Sequence, residues 1–247
     1  MGKREENKLA KALTKEIEDG VKAKLKGTGW KKKHRTFFRQ SGDAFLLFAL
    51  HPRITINAGV ADVEIVVKNE IKPMGIDPLY WDIIQLPENK EKPLSFRGWA
   101  SFKTDPARLF EDTLIADRSG AAAAIEAFVS WLPANAERAL QMFAERPFSD
   151  LFDGTISETA RKTNPHHGSE TCVCALILED RREDALALAR QLAPTQMRNH
   201  PLDGDHSKRV NFHELAILYL AGRESFDREV TATRTSARDW ASMFPPK

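Results

Sequence analysis

Residues 44–67 read AFLLFALHPRITINAGVADVEIVV. The first seven, AFLLFAL, are apolar throughout, and so short an apolar run suits a strand covered on both faces. From Arg53 the pattern alternates. Ile54, Ile56, Ala58 and Val60 fall on one side, Thr55 and Asn57 on the other. VEIVV (63–67) continues in the same style after Ala61 and Asp62. Short apolar runs parted by polar turns predict an antiparallel meander, with 44–50 pairing antiparallel to 53–60.

Upstream, Leu9, Leu13, Ile17, Val21 and Leu25 recur every four residues with lysines and glutamates between them. That spacing predicts an amphipathic helix, stopped by Gly27 and Gly29, with those five side chains buried on one face. Arg35 to Arg39 reads as a strand, and QSGD (40–43) as the turn into AFLLFAL. A further strand is expected at LSFRGWASF (94–102). There Leu94, Phe96, Ala100 and Phe102 share one face, and Ser95, Arg97, Trp99 and Ser101 the other.

After residue 104 the period changes. Asp105 reads as an N-cap, with Pro106 at the first helical position. Helices are expected at 106–116, 120–132, 134–145, 170–179, 183–193, 208–221 and 226–242, with Pro133 parting the second from the third. The stretches from Cys172 and from His213 each read as a helical hairpin, and 146–169 and 194–207 as loops. The fold class is therefore α+β. An N-terminal helix and a small antiparallel sheet of four to five strands precede C-terminal helical hairpins. Residues 1–247 read as a single domain in two lobes, 1–104 and 105–247.

A chain of 247 residues buries about 70–75% of its unfolded surface and needs no disulfide or metal to hold a core. Its net charge of +2 is unevenly spread: residues 1–40 hold 13 Lys and Arg against 5 Asp and Glu, leaving 24 against 30 for the rest. The start carries no apolar signal-like region, and Glu6 stands where myristoylation wants Ser or Thr. No apolar run approaches the roughly 18 residues a membrane span requires. Cys172 and Cys174, one residue apart, close no useful loop and read as reduced thiols in a cytosol.

The run LKGTGWKKKHRTFFRQSGDAFLLFAL, followed by ITINAGV, resembles a bacterial family known as domain of unknown function 4304. The best motif is G-W-K-K-K-x-R-T-F-F-R. Trp81 to Ile84, the SWLP of 130–133 and the later helical hairpins fit the same pattern, so the resemblance spans roughly residues 8–220. It departs after Ala49, where FALHPR is plainer than the family's strand, and 146–169 is longer. The resemblance implies an α+β fold and a bacterial cytoplasmic setting, and it supplies no catalytic residues. It also implies a place near secreted-toxin loci, as an immunity protein.

Within WKKKHRTFFRQ (30–40), the charge of Lys31, Lys32, Lys33, His34, Arg35 and Arg39 beside Trp30 and Phe38 has the ingredients of nucleic-acid binding. A solvated connection explains it more simply, and an acidic protein partner stands between the two. Arg97 and Trp99 form a second surface of interface-rich residue types. His166, His167, Cys172 and Cys174 are zinc-ligand types, but C-x-C is poor spacing and the two thiols diverge on a helix. His200, Asp203, Asp205, His206 and His213 form a second cluster without H-E-x-x-H spacing. No metal and no cofactor is expected. No nucleophile elbow, phosphate loop or dinucleotide fingerprint is present. The expected function is that of a non-enzymatic, cytoplasmic binding protein of immunity type with a protein partner and no membrane. A nucleic-acid-binding protein is the alternative, and a metal-dependent hydrolase ranks below it.

Overall fold

The computed structural model describes residues 3–57, 60–93, 104–116, 120–155, 168–198, 200–202 and 205–222. The chain is an α+β mixture in which an N-terminal helix leads into a five-stranded antiparallel sheet. It divides into two compact units, and the division cuts across the boundary expected at 104. Residues 106–155 belong with the sheet, and 75–92 belong with the later helices.

The first unit holds α1 (Lys3–Lys24), β1 (Lys31–Lys33), β2 (Thr36–Ser41), β3 (Ala44–Asn57), β4 (Val60–Pro73) and β5 (Ala107–Ala116). Ile17, Val21 and Leu25 of the fourfold series are buried, and Leu9 and Leu13 are half-buried. The strands lie in the order β1-β2-β3-β4-β5, every neighbour antiparallel.

Residues 44–50 and 53–60 do not pair with each other. Residues 44–50 and 53–57 lie in the single strand β3, which pairs along its whole length with β4, Leu50 opposite Val67 and Asn57 opposite Val60, so Val60 belongs to the next strand. Pro52 is tolerated for a geometric reason. The Leu50 amide donates to the Arg35 carbonyl at 2.9 Å, just outside the start of β2. Pro52, two residues on, turns its missing donor to the same side, past the end of β2, where no partner strand is left to need it.

The segment expected as a helix at 106–116 is instead β5 (Ala107–Ala116), paired with β4. A bulge opposite Asn69 and Glu70 explains the misreading. It places Ala107 opposite Ile71 and Phe110 opposite Asn69, with Leu114 opposite Ile65, so the residues facing one side recur at three and four. A bulged strand thus imitates helical spacing. Asp112 lies on that same face, where the Trp131 indole Nε1–H donates to it at 3.2 Å.

Helix α3 (Gly120–Glu145) covers this face and packs against α1. It runs unbroken through Pro133, correcting the expected division. Its buried residues Ala121, Ala124, Phe128, Leu132, Ala136 and Ala139 keep one phase across the proline, which is itself exposed. The Val129 carbonyl loses one helical partner, a local cost that the continuous buried stripe outweighs. Helix α4 (Phe148–Thr155) then buries Phe148, Leu151 and Phe152, inside the stretch expected as a loop.

The second unit holds α2 (Ile76–Ile83), α5 (Ser169–Leu178), α6 (Arg182–Leu192), the hairpin β6 (His200–Leu202) and β7 (Asp205–Val210), and α7 (Phe212–Leu220). The expected hairpin after Cys172 is α5 and α6. The helix expected from 208 begins at Phe212, because 205–210 form β7. The strand expected at 94–102 and the helix expected at 226–242 lie outside the described residues.

Gly20 sets the approach of α1 to α3. A Cβ there would fall 2.2 Å from Ile125 Cδ1 and 3.0 Å from its Cγ1. Gly20→Val should therefore destabilise by about 1–3 kcal/mol through overpacking. Adding Ile125→Ala should recover part of that loss, read by denaturant titration. A Gly20→Val protein as stable as the parent would show that α1 does not rest on α3 here.

Candidate binding surface

WKKKHRTFFRQ folds as a hairpin. Lys33 pairs with Thr36 across the turn His34-Arg35, and Lys31 with Phe38. His34 takes left-handed backbone, φ 52°. β1 is a sheet edge, three residues long and all lysine, which discourages another chain from adding a strand there. Both phenylalanines point into apolar surroundings. Phe37 is buried against Phe128 on the α3 side, and Phe38 on the other side with Phe45 and Leu47. Trp30 packs edge-on against Phe48 at 5.4 Å, with the Arg39 guanidinium over its ring at 4.8 Å.

The six basic residues of this run have different fates. Lys32 shares a face with Phe37 and reaches Glu18 of α1 at 3.1 Å, with its side chain only 10% exposed. Arg35 reaches the other oxygen of Glu18, also at 3.1 Å. Arg39 lies on Trp30. Lys31 and His34 are exposed and Lys33 is half-buried. Among the described residues Lys31 and Lys33 have no carboxylate partner. Arg97 and Trp99 lie outside the described residues.

A feature not singled out from the sequence lies beside the hairpin. Arg4, Lys8, Lys11, Lys15 and Lys22 follow one another on α1 at intervals of four, three, four and seven. At 3.6 residues per turn they fall within about 60° of the helix circumference, opposite the stripe from Leu9 to Leu25. All five are exposed, and none has a carboxylate partner among the described residues. Between this row and the hairpin turn runs an open groove lined by Asn7, Ala10, Lys11, Thr14, Lys15, Glu18 and Arg35. The signal was present in the sequence as the lysine spacing, but the apolar stripe dominates the reading of such a helix.

On the sheet face away from α3, His51, Arg53 and Thr55 of β3 stand beside Glu64 and Lys68 of β4. Burial, then Lys68 and Arg35, hold His51 below the usual histidine range. It is therefore neutral near pH 7.

In the second unit the titratable groups knit helices together. Asn211 and Glu214 cap α7 reciprocally, at 2.9 and 2.8 Å. Arg198 donates to the buried Glu214 carboxylate at 2.9 and 3.2 Å. Asn211 also ties down the Ala193 and Gln196 carbonyls. Gln196 donates to Glu170 at 2.9 Å, and its carbonyl oxygen meets His213 Nδ1. Thr104 donates to the buried Asp77 carboxylate. This cluster was legible as N-x-x-E before LAILYL, a capping box. His200, in β6, and His213, at the start of α7, are both buried. His206 and Asp205 stand in β7, and His166, His167 and Asp203 lie outside the described residues. Among the described residues no group of three or more His, Cys, Asp or Glu is placed to hold a metal ion.

Burial, then Glu170 and Asp77, push the Cys174 thiol well up, and burial with Glu170 pushes the Tyr80 phenol up. Both groups stay neutral in the folded chain while the unfolded chain ionises, from about pH 8.5 for the thiol and about 10 for the phenol. Above those values the unfolded state binds fewer protons, so stability should be intact at pH 7 and fall progressively as pH rises. Chemical denaturation between pH 7 and 10.5 measures this. Alkylation gives a second check: with Cys172 replaced by serine, Cys174 should react only after denaturation.

Against known proteins, no family model, no curated protein and no solved structure matches this chain.

Proposed function

We propose that this protein is a non-enzymatic binding protein of immunity type, working in the cytoplasm, which engages an acidic protein partner through α1 and the β1–β2 hairpin. One observation carries the reading. Arg4, Lys8, Lys11, Lys15 and Lys22 form an exposed row on α1 with no carboxylate partner among the described residues, beside a hairpin that Glu18 fastens to the same helix through Lys32 and Arg35. The likeness of the G-W-K-K-K-x-R-T-F-F-R run to domain of unknown function 4304 supports the same reading. So do the two free thiols, which suit a reducing compartment. Among the described residues no helix is long and apolar enough to cross a membrane.

Nucleic acid is the weaker reading because its aromatic platform is gone. Phe37 and Phe38 are 1% and 3% exposed, and Trp30 is occupied by Arg39 and Phe48. Stacking on aromatic side chains is worth about 1–3 kcal/mol per base, and without it only phosphate attraction is left. Duplex binding should then be weak, on the order of 10⁻⁴–10⁻⁶ M, and indifferent to sequence.

Co-expression with the products of adjacent genes tests the proposal. A toxic product should be tolerated only with this protein present, and the two should co-elute as a complex that weakens with salt. Lys31→Ala with Lys33→Ala should change stability by less than about 0.5 kcal/mol each. Phe37→Ala should cost about 3–5 kcal/mol. Sub-micromolar duplex binding at physiological salt, lost in the double-lysine variant, would instead favour nucleic acid.

A further inference from the structure

The row on α1 also constrains the shape of what it meets. Arg4 to Lys22 spans 18 residues, about 27 Å of straight helix at 1.5 Å per residue. Its cations recur about once per 5.4 Å turn from Arg4 to Lys15, and Lys22 follows two turns on. An extended acidic chain offers same-face side chains only every 6.6–6.8 Å or so, twice its rise per residue, and slips by about one contact over that length. A duplex presents its phosphates on a winding path, which a straight rod touches at few points. A second α-helix running alongside has the same repeat, so carboxylates at intervals of four, three, four and seven stay in register throughout.

We infer that the occupant of the α1 row is an acidic α-helical segment of a partner protein, lying along α1 with its carboxylates against Arg4, Lys8, Lys11, Lys15 and Lys22. This rests on the proposed function and deepens it. The groove wall supplies the flank: Ala10 is small, Asn7 offers amide donors, and the Thr14 hydroxyl is turned back onto the Ala10 carbonyl at 2.9 Å. Arg35 closes the far side, held upright by Glu18. The helix is itself anchored by Ile17, Val21 and Leu25, so the row is presented on a rigid element. Rigid presentation lowers the ordering cost of binding.

The test uses the full chain and three labelled probes at physiological salt. These are a helical 22-residue peptide with glutamates at that spacing, a peptide of the same composition with the glutamates spread around the helix, and a 20-base-pair DNA duplex. The spaced peptide should bind at least tenfold more tightly than the spread one. Lys11→Glu with Lys15→Glu should weaken it at least tenfold, while Lys31→Glu with Lys33→Glu should weaken it less than threefold. Unchanged circular dichroism and melting of both variants show that they are folded. Because both pairs reverse the same charge, a non-specific effect would move them equally. Equal binding of the two peptides, tighter binding of the duplex, or equal sensitivity of the two variants would each overturn the inference. The failure modes separate. A co-expressed complex indifferent to Lys11 and Lys15 would sink the helical row and leave the binding reading standing. Selective peptide binding without any adjacent-gene complex would do the reverse.

Discussion

The aromatic contacts between α3 and the sheet hold the first unit in place. Phe37 and Phe48 face each other across β2 and β3. Phe128 meets Phe37 at 5.6 Å, and Trp131 meets Phe48 at 5.5 Å, edge to face. Trp131 also meets Phe110 of β5 at 6.3 Å and donates to Asp112. Trp30 closes the other side of Phe48, and Arg39 and Arg138 lie over the outer rings, Trp30 and Phe110. Each aromatic pair adds about 0.5–1.5 kcal/mol beyond the area it buries. The cluster joins β2, β3, β5, α3 and the segment entering β1. The charged hairpin is therefore the outer surface of a rigid core element.

That core also explains what was legible in the sequence and what was not. The fourfold apolar series of α1, the QSGD turn and the α5–α6 hairpin read directly, because each depends on neighbours within a few residues. Three features depend on partners far along the chain. Pro52 can sit within a strand only because β2 stops short of it. The bulge at Leu109 matters only because β4 fixes which residues face α3. Pro133 stays helical because Phe128, Leu132 and Ala136 are held in one phase by a sheet the local sequence does not mention. In each case tertiary pairing overrides a sound local signal.

The second unit illustrates a different constraint. Asn211, His213 and Glu214 are all buried, in a row, at the start of a helix. Buried polar groups are costly unless bonded, and half-satisfied clusters are worse than apolar ones. Here the capping box, Arg198, Gln196 and Glu170 form a continuous set of partners. Histidine and cysteine are residue types that metal sites use, although their spacing here argues against one; in the fold His213 meets the Gln196 side-chain amide and Cys174 is held neutral. Residue types that catalyse on a surface can serve a core as hydrogen-bonding fasteners.

The same distinction applies to the cations, and it separates structural from available charge. Lys32, Arg35 and Arg39 drew attention in the sequence because they are consecutive with aromatics, and consecutive residues on a strand point to both faces. Lys32 is consequently drawn under the sheet to Glu18, and Arg39 is drawn onto Trp30. Lys32, already desolvated and paired, has little left to offer a partner, since breaking its pair would cost Glu18 one of its two cations. Residues three and four apart on a helix, by contrast, point the same way. Arg4, Lys8, Lys11, Lys15 and Lys22 are scattered in the sequence but contiguous along one helix face, and none has a carboxylate partner among the described residues. Helical period, rather than density of charge along the chain, decides which cations of this protein can meet another molecule together.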